Sequence, residues 1–316
     1  MLVEGIYTNT DNKQNRNNPE HFGFEVSLLV IQYNASFSRI KKTLESILHQ
    51  EKIHYEIIIT DDGSKNNYAD EIKELFNNYC FTDYKLVMNP INRGTVSNYN
   101  SGLAVVEGEY IKCISPGDCL YDNSTLKGWV DFIRSSGKEW SFSDAVYYDA
   151  DTGNKVSSLA HPQIIEPFIS GKEKDMRWNY LVLRDIALGA AMISSAKIQR
   201  VYCERIEKAG VVFAEDNMWR LMMFDGVVPA FYSKPTILYE FGHGISTGSD
   251  MIWRQRLAAD WEKTDDIMKR VENPDGFQKK ILKHMKAERN IFKKILTKGK
   301  IKQKLIQTLH PRMTEE

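Results

Sequence analysis

Short apolar runs alternate with segments of helical periodicity along the first part of the chain. Residues 26–31 are almost all apolar, which is typical of a strand covered on both faces of a sheet. Apolar residues between 40 and 48 then recur at helical spacing, after Ser36 or Ser38, either of which can cap a helix. The alternation continues, and we predict strands at 55–60, 85–88 and 110–114 and helices at 69–76 and 96–106. Crossovers long enough to hold helices favour a largely parallel sheet.

The pattern changes after Asp118, although no internal repeat or low-complexity linker divides the chain. We predict, in order, a helix at 126–133, an aromatic strand at 140–148, a hairpin turn at 151–154, a strand at 187–193, a helix at 216–224, short strands at 227–232 and 236–239, and long helices from about 253. The second part is therefore interpreted as an extension of the same domain. The predicted fold class is α/β, with a mostly parallel central sheet, flanking helices and a C-terminal helical extension.

Three acidic turns are the main candidates for chemistry. Two of them, Thr60 to Ser64 and Ser115 to Asp118, directly follow predicted strands, and the third contains Glu215 and Asp216. Because ligands of parallel α/β sheets bind beyond the carboxyl ends of the strands, the three turns are expected to converge there. Like charges repel, so such convergence is usually found where a metal ion or a cationic group compensates for it. This favours an enzyme that acts on a phosphorylated donor.

Five segments carry a family resemblance through their order and spacing: VSLLVIQYN, YEIIITDDGS, NRGTVSNYNSGLAVVEGEYIKCISPGD, AEDNMW and YEFGHGIST. Together they resemble the inverting glycosyltransferases of family 2, over about residues 26–249. The resemblance implies a GT-A fold, with a polar leader at 1–24, a nucleotide-binding half at 25–120, an acceptor half at 121–250 and a basic helical extension at 251–316. It further implies transfer of a hexose from a UDP-sugar to a hydroxyl of a glycan, glycoprotein or lipid-linked acceptor.

The donor nucleotide is expected to bind at the ends of the first two strands. Asp62 ends an apolar strand in a glycine-containing turn, where its carboxylate can accept a hydrogen bond from a uracil N–H or a ribose hydroxyl. The family places a nucleotide-binding aspartate here, while the alternative is that Asp61 or Asp62 only caps the turn. Tyr33 and Asn34 match the first-strand motif and are expected to flank the base. Their alternative roles are a buried aromatic and a turn asparagine.

The diphosphate and sugar are expected near the next two loops. Arg93 precedes a helix whose inner face includes Asn100, and a helix N-terminus beside an arginine suits a phosphate or a polar sugar edge. A solvated loop charge is the alternative for Arg93. Ser115 completes the predicted nucleotide-sugar contacts.

A divalent metal, Mn²⁺ or Mg²⁺, is the expected cofactor. The turn from Ser115 to Asp118 stands where the family has a DxD cluster, but only Asp118 remains acidic. Such ions prefer oxygen ligands and would bridge this carboxylate to the donor diphosphate. His243, between two glycines, is the predicted second ligand, because the family often has a histidine or arginine here. A structural histidine is the alternative.

The predicted catalytic residues are Asp216 and Glu215. Asp216 opens a helix, so an ordinary acidic N-cap is the alternative. In the family an ED pair occupies this position and its aspartate is the general base. Inverting transfer needs one carboxylate within reach of the acceptor hydroxyl, opposite the leaving nucleotide. Glu215 is expected to orient Asp216 or hold an acceptor hydroxyl.

Charge is unevenly distributed, although the formal net charge of the 316 residues is zero. Residues 277–312 contain 12 Lys and Arg against a single acid, Glu288, with apolar residues at helical spacing. Such helices either lie on an anionic membrane surface or pack on the catalytic domain, which is favoured before Gly299. Nucleic acid is not an expected partner.

The absence of a signal-like or spanning apolar run and of paired cysteines predicts a cytoplasmic enzyme, peripheral at the inner membrane face if the tail binds lipid.

Two other classes of function remain open at this point. A non-catalytic relative that binds nucleotide or a partner as a scaffold would explain the thinned acidic cluster. A sugar nucleotidyltransferase would require a glycine-rich basic loop after the first strand, where this chain has QYNAS. The sugar itself is not predicted. The acceptor is expected near residues 161–183, where Trp178 and Tyr180 can stack on sugar rings or serve only in packing.

Overall fold

A computed structural model describes residues 6–8, 22–149, 152–153, 155–158, 162–183, 189–241 and 251–288. Within these ranges, ten strands form one sheet. They are β1 (Ile6–Thr8), β2 (Phe24–Gln32), β3 (Tyr55–Asp61), β4 (Tyr84–Met88), β5 (Gly108–Ile114), β6 (Cys119–Leu120), β7 (Trp140–Asp149), β8 (Lys155–Ser158), β9 (Met192–Ser195) and β10 (Ala230–Phe241).

Helices flank the sheet on both faces. They are α1 (Phe37–Leu48), α2 (Ala69–Asn78), α3 (Thr95–Leu103), α4 (Thr125–Ser136), α5 (Pro162–Ile169), α6 (Glu173–Trp178), α7 (Ala196–Lys208), α8 (Asn217–Asp225), α9 (Met251–Lys269) and α10 (Gly276–Glu288). A π-helical turn at Asn179–Leu183 follows α6, and a 3₁₀ turn at Gly189–Ala191 precedes β9.

The strands run in the order β1-β4-β3-β2-β5-β9-β7-β10-β6, with β8 paired to β7. Strands β4, β3, β2 and β5 are parallel, as predicted, and so are β7 and β10. Strand β9 is antiparallel to both β5 and β7 and joins these two parallel groups. The parallel strands are almost entirely buried because helices cover both of their faces.

Each face of the sheet has its own hydrophobic core. Alternate residues of the strands pack on α1, α2 and α4 on one face and on α3, α7 and α8 on the other. Gly102 allows α3 to approach closely, because a Cβ there would collide with the side chains of Leu29 and Thr60. This close packing brings the N-terminus of α3 beside the carboxyl ends of β2 and β3.

Two predicted element boundaries are wrong. The strand predicted at 187–193 begins only at Met192, after a 3₁₀ turn, and part of the predicted range lies outside the described residues. The two short strands predicted at 227–232 and 236–239 are a single strand, β10. Its pairing with β7 continues through register shifts between Tyr232 and Ile237, where Pro235 interrupts the regular ladder.

The C-terminal helices α9 and α10 pack on the body of the protein. Ile281 and Met285 of α10 are buried, and Gln278 donates a hydrogen bond to the backbone of Phe224 at the end of α8. This agrees with the packing favoured for the first part of the basic segment. Residues 289–316, which include the tail beyond Gly299, lie outside the described residues. No helix in the described part of the chain is apolar and long enough to span a bilayer.

Candidate active site

The carboxyl ends of β2, β3 and β5 lie side by side because these strands are parallel neighbours. The loops after them contain Tyr33, Asp62 and Ser115 respectively. The loop before α8, which contains Asp216, reaches the same region through its contacts with the N-terminus of α3. The site is therefore assembled from loops that are distant in the sequence.

Asp62 holds the loop that leads into α3. Its carboxylate is 3% exposed, and its two oxygens accept hydrogen bonds from the backbone N–H groups of Arg93 and Gly94, each at 2.9 Å. Gly94 has φ +93°, and a Cβ there would collide with the side chain of Val212. Asp62 therefore fixes the position at which the loop after β4 packs against the loop before α8. Its predicted contact with the nucleotide stays a prediction.

Tyr33 and Asn34 lie in the turn after β2. Tyr33 is 52% exposed, so it is available to a ligand and is not the buried aromatic of the alternative interpretation. Asn34 has φ +51°, and it joins the turns after β2 and β3. Its backbone N–H donates to Ser64 Oγ at 2.7 Å, and its Oδ1 atom accepts from the Lys65 N–H at 3.1 Å. Asn34 thus orders the rim on which Tyr33 is placed.

Arg93 and Asn100 point to different neighbours. The Arg93 side chain is exposed and donates hydrogen bonds to Asn89 Oδ1 at 3.0 Å and to Ser101 Oγ at 3.2 Å. Asn100 donates to Glu207 Oε2 of α7 at 2.7 Å. The structure therefore keeps Arg93 on the outer side of the loop and engages Asn100 with α7, and their predicted roles in donor binding remain predictions.

A side chain from β10 packs against the loop from Ser115 to Asp118. Asp118 is 5% exposed, and its Oδ1 atom accepts the backbone N–H of Glu240 at 2.9 Å. The Glu240 carboxylate lies over Gly117, where a Cβ would collide with it, and pairs with Arg39 of α1, whose Nε atom is 2.7 Å from Glu240 Oε2. Ser115 is exposed at the edge of this loop. A carboxylate from a distant strand thus lies against the loop in which Asp118 is the acidic residue.

These residues do not form a metal site by themselves. Asp118 and Glu240 are the two carboxylates beside Gly117, and Glu240 is already neutralised by Arg39. Within the ranges that the structure describes, no group of three or more His, Cys, Asp or Glu side chains is arranged to hold a metal ion. His243, the predicted second ligand, lies outside those ranges. Burial raises the pKa of Asp118 to about 7, although the charges of Lys112 and Arg39 lower it, so its negative charge is costly at this position.

Glu215 and Asp216 lie at the end of the loop before α8. Asp216 is an exposed residue and Glu215 is half-buried, although the protein atoms packed around both carboxyl groups partly desolvate them. Asp216 is not a side-chain N-cap of α8, which corrects that alternative. Gly189 lies against the Asp216 carboxylate, and a Cβ at this position would collide with it. The carboxylate is therefore confined on one side and open on the other.

Both carboxyl groups of the pair have raised pKa values. For each, desolvation by the surrounding protein atoms is the largest cause, and the charge of Asp216 further raises the pKa of Glu215. A hydrogen bond from the Trp219 side chain and the charge of Lys112 lower the pKa of Asp216. Glu215 has only a backbone hydrogen bond that lowers its pKa, so its pKa is raised above that of Asp216. Asp216 is then the ionised member of the pair.

Lys112 is a site residue that the sequence analysis missed. It lies in the middle of β5 with no exposed surface, and its Nζ atom donates to the backbone carbonyls of Ala190, at 2.6 Å, and Cys113. Burial lowers its pKa to about 8, while the charges of Asp118 and Asp216 raise it. Lys112 is therefore a buried cation shared by the two predicted site aspartates. The available signal was a lysine within an apolar strand, in the sequence YIKCI.

The predicted acceptor segment divides into two parts. Trp178 packs on α10, where Lys280 lies over its ring at 4.2 Å and His284 contacts it at 5.4 Å between ring centroids. Tyr180 is near the Glu215–Asp216 pair, since burial and the charge of Asp216 raise the pKa of its hydroxyl. Trp178 thus serves packing, and Tyr180 is the aromatic residue beside Asp216. Residues 159–161 and 184–188 lie outside the described ranges.

Comparisons with known proteins identify relatives of this arrangement. The family model described as Glycosyl transferase family 2 matches residues 27–201. The poly-beta-1,6-N-acetyl-D-glucosamine synthase of Staphylococcus epidermidis is 33% identical over 141 residues, which is 45% of this chain and 32% of that protein. The putative glycosyltransferase EpsH of Bacillus subtilis is 27% identical over 172 residues, 51% of this chain and 47% of that protein. The chain thus matches a third to a half of the length of these relatives.

Solved structures share the fold at low sequence identity. Staphylococcus aureus TarS 1–349 in complex with UDP-GlcNAc superposes with a TM-score of 0.57 at 16% identity, covering 90% of this chain and 81% of that one. The mannosyltransferase PcManGT of Pyrobaculum calidifontis, in complex with GDP-Man and Mn²⁺, gives a TM-score of 0.58 at 15% identity, covering 85% and 71%. The predicted GT-A fold is confirmed.

Proposed function

The chain belongs to glycosyl transferase family 2 and is a glycosyltransferase, and from this premise we propose that it moves a hexose from a UDP-sugar to a glycan hydroxyl by single displacement. The observation that carries the proposal is the Glu215–Asp216 pair, in which the exposed residue Asp216 lies beside a half-buried glutamate whose pKa is raised by burial and by the charge of Asp216. A general base must be ionised and within reach of the acceptor hydroxyl. We propose that Asp216 is the residue that meets both conditions, and that Glu215 orients it or binds another acceptor hydroxyl.

Recognition of the nucleotide is supported by buried acceptors at the ends of β2 and β3. Gln32 and Asp61 are cross-strand neighbours, and Gln32 Oε1 and Asp61 Oδ2 are buried without a hydrogen-bond partner. Buried polar atoms in native proteins are normally paired, so such atoms indicate a place for a ligand donor or an ordered water. The N3–H group of uracil is such a donor, with Tyr33 available to cover the base. We propose that Asp61 joins Asp62 in binding UDP.

The donor is proposed to be a UDP-sugar because TarS was solved with UDP-GlcNAc, while PcManGT holds GDP-Man and Mn²⁺. A divalent cation in this chain would have to be held by Asp118, by His243 and mainly by the donor diphosphate itself. A cation at that position would neutralise the leaving diphosphate. A polysaccharide acceptor is proposed because the Staphylococcus epidermidis relative is a polysaccharide synthase. Glycoprotein and lipid-linked acceptors, a cytoplasmic location and membrane binding remain predictions.

The test is release of UDP or GDP from a panel of UDP-GlcNAc, UDP-glucose, UDP-galactose and GDP-mannose, with and without N-acetylglucosamine oligosaccharides. Each reaction is run with Mn²⁺, with Mg²⁺ and with EDTA, and beside Asp216→Asn as the matched control. The proposal expects a UDP-sugar to be consumed with inversion at the anomeric carbon, and consumption to require Asp216. Binding of UDP without turnover of any donor would instead support the non-catalytic scaffold.

A further inference from the structure

Helix α9 contacts the loop that carries Asp216. Asp260, near the middle of α9, is only 1% exposed. Its Oδ2 atom accepts hydrogen bonds from three consecutive backbone N–H groups, those of residues 212, 213 and 214, at 3.1, 2.6 and 3.2 Å. The last of these residues is two positions before Asp216. A single carboxylate oxygen thus binds the backbone that leads directly to the proposed base.

The charge of Asp260 is well compensated in this position. Its Oδ1 atom accepts a hydrogen bond from Lys263 Nζ at 2.8 Å, and the same ammonium donates to the Gly210 carbonyl at 2.5 Å. Three successive N–H groups can converge on one oxygen only if the backbone curves around it, as in an anion-binding nest. The curvature of residues 212–214 is therefore set by the carboxylate, because without it three amide groups in a buried region would lose their acceptor.

The other side of the same loop is held by the donor-binding half. The backbone N–H of Val96, in the first turn of α3, donates to the carbonyl of Val212 at 3.0 Å. Gly94, which Asp62 holds in place, lies directly against the Val212 side chain. The loop is thus clamped between α3 and α9. Asp260 provides the clamp from outside the region that the family model matches, which ends at residue 201.

We propose that Asp260 is a positioning residue for Asp216, through the backbone of residues 212–214. The inference rests on the proposed role of Asp216 as general base. Helix α9 is then a part of the catalytic apparatus. A carboxylate base works only while it is held in line with the acceptor hydroxyl, and a displacement of about 1 Å can cost roughly 10²-fold in rate.

The experiment compares Asp260→Ala and Asp260→Asn with Glu262→Ala, an exposed acid two residues further along α9. Activity is followed as UDP release from the UDP-sugar that the donor panel identifies, with kcat and KM measured separately, and UDP affinity is measured by calorimetry. We expect Asp260→Ala to lose about tenfold or more in kcat while KM and UDP affinity change little. Asp260→Asn should recover part of the loss, because its amide oxygen can still accept from the three N–H groups. Glu262→Ala should match the unmodified protein.

A second measurement separates positioning from general destabilisation. Hydrogen exchange of amides 212–214 should accelerate in Asp260→Ala and not in Glu262→Ala, at a temperature where both variants are folded. Adding Asp260→Ala to Asp216→Asn should cause no further loss of kcat, because a residue that acts through the base has nothing left to position. Unchanged exchange at 212–214, or equal losses with and without Asp216, would overturn the inference. Full activity of Asp216→Asn alone would instead defeat the proposed function.

Discussion

Two acidic loops of the site use their carboxylates in opposite ways. In the turn after β3, both oxygens of Asp62 accept backbone N–H groups at 2.9 Å, and the side chain is buried. In the loop before α8, Asp216 is exposed and carries a raised pKa, with Trp219 and Lys112 as the contacts that favour its charge. Both oxygens of Asp62 hold a loop, whereas Asp216 is an exposed residue.

The carboxylates of the two loops have opposite effects on the stability of the fold. Asp62 gains charge-assisted hydrogen bonds, so it stabilises the fold and leaves little capacity for chemistry. The Glu215–Asp216 pair is desolvated and mutually repulsive, so it destabilises the fold and is ready to take a proton. The loops themselves are connected, since Gly94 beside Asp62 packs on Val212 ahead of Asp216. Substitutions at the two aspartates should therefore affect stability and activity in opposite proportions.

The largest expected effect is on activity at the open aspartate. Asp216→Asn should lower kcat by roughly 10²-fold or more, because an amide cannot take the proton of the acceptor hydroxyl. Its melting temperature should stay equal or rise, since one of two repelling carboxyl groups becomes neutral. Steady-state kinetics with UDP-GlcNAc and thermal unfolding measure both quantities.

Glu215→Gln is the matched control, because it replaces the member of the pair that retains its proton in our interpretation. We expect this variant to keep kcat within about tenfold of the unmodified protein. If Glu215→Gln were inactive and Asp216→Asn active, the assignment of the two carboxyl groups would be reversed.

The next effect is on stability at the engaged aspartate. Asp62→Ala should lower the free energy of unfolding by about 2–4 kcal/mol, because two buried N–H groups lose a charged acceptor. UDP affinity should fall with it, since the loop at residues 92–94 is no longer fixed. Urea unfolding and calorimetry measure these changes.

Asp62→Asn, which keeps one acceptor oxygen, should lose less than Asp62→Ala. Asp70→Ala, a substitution of an exposed acid in the first turn of α2, should lose almost nothing. Wild-type stability of Asp62→Ala would contradict the structural role of this carboxylate.

The two regions could be predicted from the sequence only as far as local pattern or a family motif determines them. The strand before Asp62 is a buried apolar run followed by a turn, so both the parallel sheet and the position of Asp62 could be predicted from local pattern. Asp216 was predicted through the ED motif of the family, and its catalytic role stays a prediction, since the family model matches residues 27–201. The hydrogen bonds of Asp62 could not be predicted from the local pattern. Their donors are backbone N–H groups in a loop that begins 31 residues further along the chain.

Residues whose partners are distant in the sequence could not be predicted. Glu240 fills the space over Gly117 from a strand more than 120 residues away, and Asp260 lies in a helix whose alternating charges resemble an ordinary solvated face. Strand β10 was predicted as two strands because Pro235 breaks the local pattern, and only its pairing with β7 shows continuity. Lys112 is different, since a lysine in an apolar run was visible and its meaning depended on the carboxylates around it.

The smallest expected effect concerns Lys112, the buried lysine whose charge acts on Asp216. The charge of Lys112 lowers the pKa of Asp216, so Lys112→Met should raise that pKa. The base acts when it is ionised, and its rate falls as the pH drops through its pKa. The acid limb of the kcat profile should therefore move to higher pH in the variant, while kcat at high pH changes little. Lys127→Met, on the exposed face of α4, is the matched control and should leave the profile in place.

The pH dependence of the free energy of unfolding tests the burial of Lys112 independently. The pKa of Lys112 is lowered in the folded protein to about 8 from an ordinary 10.5, so the unfolded chain binds more protons between these values. The contribution of Lys112 to the free energy of unfolding should therefore rise as the pH increases from about 8 to 10.5. This rise should be present in the unmodified protein and in Lys127→Met, and absent in Lys112→Met. Unfolding curves of the three proteins across this range, set beside their kcat profiles, decide the matter. An acid limb that stays in place in Lys112→Met would show that the buried ammonium does not act on Asp216, and that the openness of this carboxylate alone distinguishes it from Asp62.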